Sequence, residues 1–287
     1  MTTATARSIV QTFTAFGGAR CELIVCDALA GDVSRAVADV SAFERALTRF
    51  DMRSELSRFN AAAGARVPVS SLLGELLRVC LDAHALSDGL VNAACLPALV
   101  AAGYDRSITA VLRHPGFRGR ATARPPVPHL PEVLEVGAGW ARLAPGCAVD
   151  LGGVGKGWLA DRLCERFDNA AINLGGDVRT RGEGPESVGW AVALCDGCLV
   201  TVTDAGVATS GITGRCWSGG HHLIDPRTAL PARTDITAVS VVAENALRAE
   251  VLAKSACLVG AAAADVWLAT RGSACHALIL NDGAPTA

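Results

Sequence analysis

CAVDLGGVGKGWLADRLCERF, residues 147–167, carries an apparent strand (CAVDL) into an apparent helix (WLADRLCERF) across four glycines and one lysine. A phosphate-binding P-loop requires a glycine five residues before its Gly-Lys pair and a Ser or Thr after the lysine. Asp150 and Gly157 stand at those places. The dinucleotide-binding turn requires a third glycine three positions after its second. Counting from Gly153 and Gly155, that place holds Trp158. Neither doubly wound nucleotide fold is indicated. What remains is generic: glycines let backbone approach a ligand closely, and a helix starting beyond them offers free N–H groups and positive dipole to an anion. A phosphate-bearing ligand and a merely tight strand-to-helix turn both stay open.

Downstream of this turn the chain reads as short strands, AAINL, WAVAL, LVTVT and TAVSVVA, preceded by EVLEV, ARLAP and CAVDL. Helices are expected at about 155–167, 246–260 and 261–272, with a last strand, ACHALIL. Upstream, CELIVC (21–26) reads as a strand. A helix follows, on which Val37, Val40, Phe43, Leu47 and Phe50 recur on one face. Residues 51–70 read as a polar turn. A second helix begins under a Ser70 or Ser71 cap and ends at Gly89. Residues 113–131 hold five prolines and four arginines, which excludes a helix or an internal strand and predicts a surface excursion. Runs of strands with grouped helices argue an α+β fold with a largely antiparallel sheet. The expectation is one domain over residues 10–283, between short tails at 1–9 and 284–287.

A chain of 287 residues with 51% apolar content can bury a sizeable core. Its 26 basic and 28 acidic residues leave no basic stripe for nucleic acid and no acidic block for disorder. No apolar run is long enough to span a membrane, and the N-terminal stretch lacks signal-peptide character, so a cytoplasmic chain without membrane insertion is expected. The eleven cysteines are odd in number and mostly set in apolar contexts, as reduced core residues are. The CDGC at residues 195–198 lacks a second CxxC to complete a zinc site. Asp-Gly between two strand-like runs reads better as a hairpin turn.

Five short stretches stand in order: SELSRFN (54–60), DLGGVGKG (150–157), NLGGDVRTRG (173–182), VATSG (207–211) and HLIDPRT (222–228), with AEVLAKS (249–255) beyond them. Together they resemble the ApbE family of FAD:protein FMN transferases, over essentially the whole chain. The resemblance implies a T-fold-like α+β domain. It also implies an enzyme that binds FAD with magnesium, cleaves the diphosphate and attaches FMN through a phosphoester to a Ser or Thr of an acceptor flavoprotein, releasing AMP. It places Asp150, Gly153 and Lys156 of the glycine turn against FAD, together with Gly175, Gly176, Asp177, Ser210, Leu223, Ile224 and the segment Leu90, Val91 and Asn92. His222 takes the place of the catalytic base, and Gly153, Glu250 and Lys254 take the places of the magnesium site.

Elementary chemistry bears on several of these residues. Phosphoryl transfer is mostly positioning and charge neutralisation, so cations or N–H donors must meet the phosphate oxygens; Lys156, Arg227 and the N–H groups of residues 153–157 are candidates. A neutral hydroxyl nucleophile benefits from a nearby base, the role His222 would fill; a strand-end histidine bonded to backbone is its plain alternative. Gly175 and Gly176 suit a turn of positive φ, with Asp177 bonding local N–H groups and bracing the pocket. Thr209, Ser210 and Gly211 offer hydroxyls and a hinge.

The chain departs from the family in two places. After the second helix the usual Phe-Asp pair is replaced by Val91 and Asn92. On the helix after residue 245, Glu250 and Lys254 stand where the family has an Asp and, four residues on, a Thr. A protonated lysine has no lone pair for a cation. These two residues read either as a plain helical ion pair or as an ammonium taking over the metal's electrostatic role. Three functions compete: FMN transfer to protein, hydrolysis of FAD to FMN and AMP, and flavin binding without catalysis.

Overall fold

In the computed structural model the described residues are 8–62, 64–113, 126–185, 188–218 and 220–280; most of the predicted surface excursion lies outside them. Seven strands form one sheet in the spatial order Ser8–Ala15, Ala19–Cys26, Ala170–Leu174, Asp177–Arg181, Gly206–Gly211, Ile236–Ala243 and Cys275–Leu280. Every neighbouring pair is antiparallel. Side chains alternate between the faces of a strand. Val178, Val207, Val242 and Ala277 therefore pack on one face, beneath Leu194, Val192, Val200 and Val202 of a hairpin. Ala208, Val239 and Val241 face the other way, into the helical layer.

In that layer the helix Gly155–Cys164 lies on the strands Ala170–Leu174 and Asp177–Arg181, and against the helix Ala246–Val259. The latter rests on the strands Gly206–Gly211 and Ile236–Ala243. It is buried nearly all round, so its sequence, ALRAEVLAKSACLV, is small and apolar rather than two-faced. Its first turn is held three times over. The Asn245 side chain accepts the Arg248 N–H, and Asp161 of the neighbouring helix accepts the N–H groups of Ala246 and Leu247 at 2.8 and 3.0 Å. The two helices meet at Gly157. A Cβ there would lie 2.8 Å from the Ala246 carbonyl, from Leu247 Cα and from Glu250.

The predicted α+β class, the strands AAINL and TAVSVVA, the Ser70 cap and the helices at 155 and 246 stand as read. Other expectations change. CAVDL forms no strand and joins no sheet: the Asn60 side chain satisfies both the N–H and the carbonyl of Val149, and the Asp150 N–H reaches the Ala93 carbonyl. The polar turn contains a helix, Glu55–Ala61, capped by Ser54. Phe50 leaves the amphipathic face, since that helix ends at Leu47. Within the proline-rich segment, Leu130–Val133 makes one helical turn, with proline where no N–H is needed. The CDGC hairpin forms with a loop longer than two residues, Ala193 pairing with Leu199, and all eleven cysteines are free thiols. No helix among the described residues is long and apolar enough to cross a membrane.

Candidate active site

Three cavities adjoin at Gly152 and Arg215, which line all of them. The smallest, about 100 Å3, lies among Leu90, Val91, Leu223, Ile224 and His222. The second, about 380 Å3, is polar, with Lys156, Gly175, Asp177, Ser210, His222 and Lys254 in its walls. The third, about 310 Å3, is walled by Phe16, Phe43, Leu47, Phe50 and Tyr104, with Asp150 and Lys156 at its margin. The two larger cavities fall in the size range of small-molecule sites.

Beneath the polar cavity runs a buried seam of charge. Lys156, in the first turn of the helix Gly155–Cys164, pairs with Asp177 and lies 3.6 Å from Glu250. Glu250 accepts the Lys254 ammonium at 2.8 Å on one oxygen and the Gly157 N–H at 3.0 Å on the other. Burial favours the neutral form of Lys156, Asp177 and Glu250, and their partners decide the outcome. Burial alone would lower the Lys156 pKa, but Asp177 and Glu250 outweigh it and hold the pKa above the ordinary lysine value. Burial opposes ionisation of Glu250 too, yet the charges of Lys254 and Lys156 hold its pKa low. Asp177 goes the other way, raised by burial and by the Glu250 charge against the pull of Lys156. Of the two carboxylates, Asp177 takes up a proton first.

His222 lines the first two cavities, and its backbone N–H donates to the Arg215 carbonyl. Its Nδ1 is buried without a hydrogen-bond partner. Burial, with Arg215 and Lys254 nearby, pushes its pKa down to about 3, so the ring is neutral near pH 7. The neighbouring His221 is the histidine bonded to backbone, through Ala232.

Asp150 bridges the glycine turn to the aromatic cavity. One oxygen accepts the Gly152 N–H at 2.7 Å; the other pairs with Arg49 Nε at 2.7 Å. The Arg49 guanidinium lies over both the Phe50 and the Tyr104 ring, 4.2 and 4.5 Å from their centroids, and the two rings also touch each other, their centroids 5.8 Å apart. Its Nη2 is buried and unpartnered. Buried polar atoms left without partners cost stability, and here two of them, from Arg49 and His222, stand around one cleft.

The sequence-derived candidates therefore converge: Leu90, Val91, Asn92, Asp150, Gly153, Lys156, Gly175, Asp177, Ser210, His222, Leu223, Ile224 and Lys254 line adjoining cavities, and Glu250 underlies them. Gly175 and Gly176 take φ of +68° and +98°, and the Asn173 side chain holds the turn through the Gly176 N–H. Several roles differ from those expected. Asp177 braces the pocket through Lys156 rather than through local N–H groups. Arg227 is spent on Asp225 and the Leu258 carbonyl and lines none of the three cavities. Thr209, Ser210 and Gly211 are no hinge, being paired in mid-sheet with Ser240, Val239 and Ala238. Asn92 is occupied in capping the next turn and donating to the Pro128 carbonyl. Gly157 makes room for a helix, not for a ligand. Arg49 and Arg215 were not anticipated: one follows a helix end, the other sits in an aperiodic loop.

Against this geometry, the sequence profile of the ApbE family matches residues 17–279. The chain belongs to the ApbE family. It is 33% identical over 248 residues to an FAD:protein FMN transferase of Treponema pallidum, covering 72% of this chain and 65% of that one. With a Klebsiella pneumoniae FAD:protein FMN transferase the identity is 27% over 244 residues, covering 76% and 72%. The chain thus spans about two thirds of the length of these relatives. Its fold matches the apo flavinyl transferase ApbE of Pseudomonas stutzeri with a TM-score of 0.80 at 20% identity, over 98% of this chain and 95% of that one. The ApbE protein of Thermotoga maritima matches with a TM-score of 0.77, also at 20% identity, over 97% and 96%. The antiparallel sheet and helical layer that carry the cleft are the ApbE fold.

Proposed function

We propose that this ApbE-family chain is an FAD:protein FMN transferase, as its relatives are named. The observation that carries the reading is the adjacency of an aromatic cavity, a polar cavity with three side-chain cations (Lys156, Arg215 and Lys254) and a neutral imidazole, His222. A flavin or adenine ring suits the aromatic cavity, in whose wall Arg49 lies beside Phe50 and Tyr104. The diphosphate falls to the polar cavity, beside Gly152 and Gly175, with Gly153 in the wall of the small cavity that adjoins it. In the reaction an acceptor Ser or Thr oxygen forms a bond to the flavin-side phosphorus. The bond from that phosphorus to the bridging oxygen breaks, and AMP leaves with its electrons. The hydroxyl proton passes to His222. Among the protein's own groups this imidazole is a weak base; a diphosphate beside it raises its basicity through opposite charge. The acceptor is a flavoprotein carrying an exposed Ser or Thr, and a cytoplasmic location belongs to the same proposal.

The test is incubation of pure protein with FAD, with and without a Ser/Thr-containing acceptor peptide, following AMP and peptide mass. AMP together with a peptide heavier by one FMN less a water is expected. AMP without peptide modification would assign hydrolysis to water instead. Undisturbed flavin fluorescence on titration would end the FAD reading altogether.

A further inference from the structure

Magnesium, implied by resemblance at Gly153, Glu250 and Lys254, does not fit the groups found there. A divalent magnesium ion takes oxygen ligands in a near-octahedral shell and repels an ammonium. Both Glu250 oxygens are already engaged, one by Lys254 and one by the Gly157 N–H, and Asp177 holds Lys156. Lys254 itself lies across Gly153: its Cε is 4.0 Å from where a Cβ on that glycine would stand. Among the described residues no cluster of three His, Cys, Asp or Glu could hold a metal ion.

The same groups supply what a cation would. Lys156, Arg215 and Lys254 all line the polar cavity, against two carboxylates, Asp177 and Glu250, in the seam below. Resting on the FMN-transferase reading, we propose that this chain meets the diphosphate with side-chain cations alone. Lys254, held by Glu250 and assisted by Lys156 and Arg215, occupies the position and the charge role of a divalent cation, so FAD binding and cleavage proceed without one. The bonds made and broken are those given above; the charge gathering on the departing AMP phosphate is met by ammonium and guanidinium groups, which lose no proton in the step.

Three measurements on the full chain test this. FAD titration followed by flavin fluorescence should give dissociation constants equal within about threefold in EDTA and in magnesium chloride. Calorimetric titration of magnesium chloride into FAD-free protein should show no saturable binding. AMP release should persist in EDTA, and Lys254→Met should weaken FAD binding about tenfold or more in EDTA while Lys254→Arg largely restores it. AMP release abolished by EDTA and restored by magnesium, or saturable magnesium binding to the FAD-free chain, overturns the inference and leaves the transferase reading intact. Absence of FAD binding in both buffers overturns both. The EDTA comparison on the unaltered chain stands even where a Lys254 variant fails to fold.

Discussion

The seam beneath the polar cavity and the wall of the aromatic cavity are both buried and both charged, yet they are satisfied to different degrees. In the seam, Lys156, Asp177, Glu250 and Lys254 answer one another, and the Gly157 N–H closes the remaining carboxylate oxygen. Around the cleft, Arg49 keeps one nitrogen and His222 another without any partner. A closed network holds helices in register, whereas a buried donor or acceptor without a partner in the fold keeps a hydrogen bond that a ligand or a water can fill. Substitutions at Glu250 and Gly157, which line none of the three cavities, should therefore be read first as losses of stability, and substitutions at the unpartnered atoms as losses of binding or rate.

The largest expected effect is in the seam. Glu250→Gln leaves two buried ammonium groups with one carboxylate, and removal of one partner from a buried ion pair costs about 3–5 kcal/mol. Gly157→Ala forces a methyl against the backbone of the helix Ala246–Val259 and should cost about 3 kcal/mol, the upper range for overpacking. Gly153→Ala, whose Cβ meets nothing nearer than Val91 at 3.7 Å, should leave stability unchanged. Urea unfolding of the three variants ranks them; equal midpoints for Gly157→Ala and Gly153→Ala would break the distinction between seam and cleft.

How far each region was legible from sequence follows from the same contrast. The strands AAINL, TAVSVVA and ACHALIL, the helices at 155 and 246 and the Ser70 cap rest on local periodicity and capping, which a sequence displays; the central strands Asp177–Arg181 and Gly206–Gly211, polar or glycine-bearing, did not read as strands. Lys156, Asp150 and His222 sit in short motifs and were found by them. The purpose of Gly157 was not legible, because its crowding comes from Ala246 and Glu250, brought to it only by helix packing. Arg49, Phe50, Tyr104 and Arg215 share no periodic pattern; separate turns and loops bring them to one wall. The strand Ser8–Ala15 escaped notice because it is a largely exposed edge strand of mixed polarity, SIVQTFTA, paired on one side.

At the unpartnered atoms the effects are on rate and affinity. His222→Gln should preserve the fold and lower FMN transfer by about a hundredfold or more, the usual contribution of a positioned general base. FAD affinity should change far less than the transfer rate. Arg49→Lys keeps a charge for Asp150 but loses the planar group lying over Phe50 and Tyr104. FAD affinity should fall about tenfold, the equivalent of one lost charge-assisted hydrogen bond, with the unfolding midpoint nearly unmoved. An Arg49→Lys variant that loses stability but not affinity would move Arg49 from the cleft to the seam.

The smallest effect separates His222 from its charged neighbours by pH. Its folded pKa, about 3, lies below the ordinary 6.5, so protonation is easier in the unfolded chain. The stability it contributes is complete above about pH 6.5 and is lost as pH falls from there toward 3. Asp177, raised to about 6, acts oppositely, gaining stability as pH falls through 6 toward its ordinary value, and would mask His222 in the parent chain alone. The difference between parent and His222→Gln removes that masking, provided Asp177 titrates alike in both. Between pH 6.5 and 5.5 the parent should lose up to about 1 kcal/mol relative to the variant, since one proton shifts stability by at most about 1.4 kcal/mol per pH unit. Parallel stability curves for the two chains would mean that His222 already carries a partner in the folded protein, and the contrast between a closed seam and an open cleft would then rest on Arg49 alone.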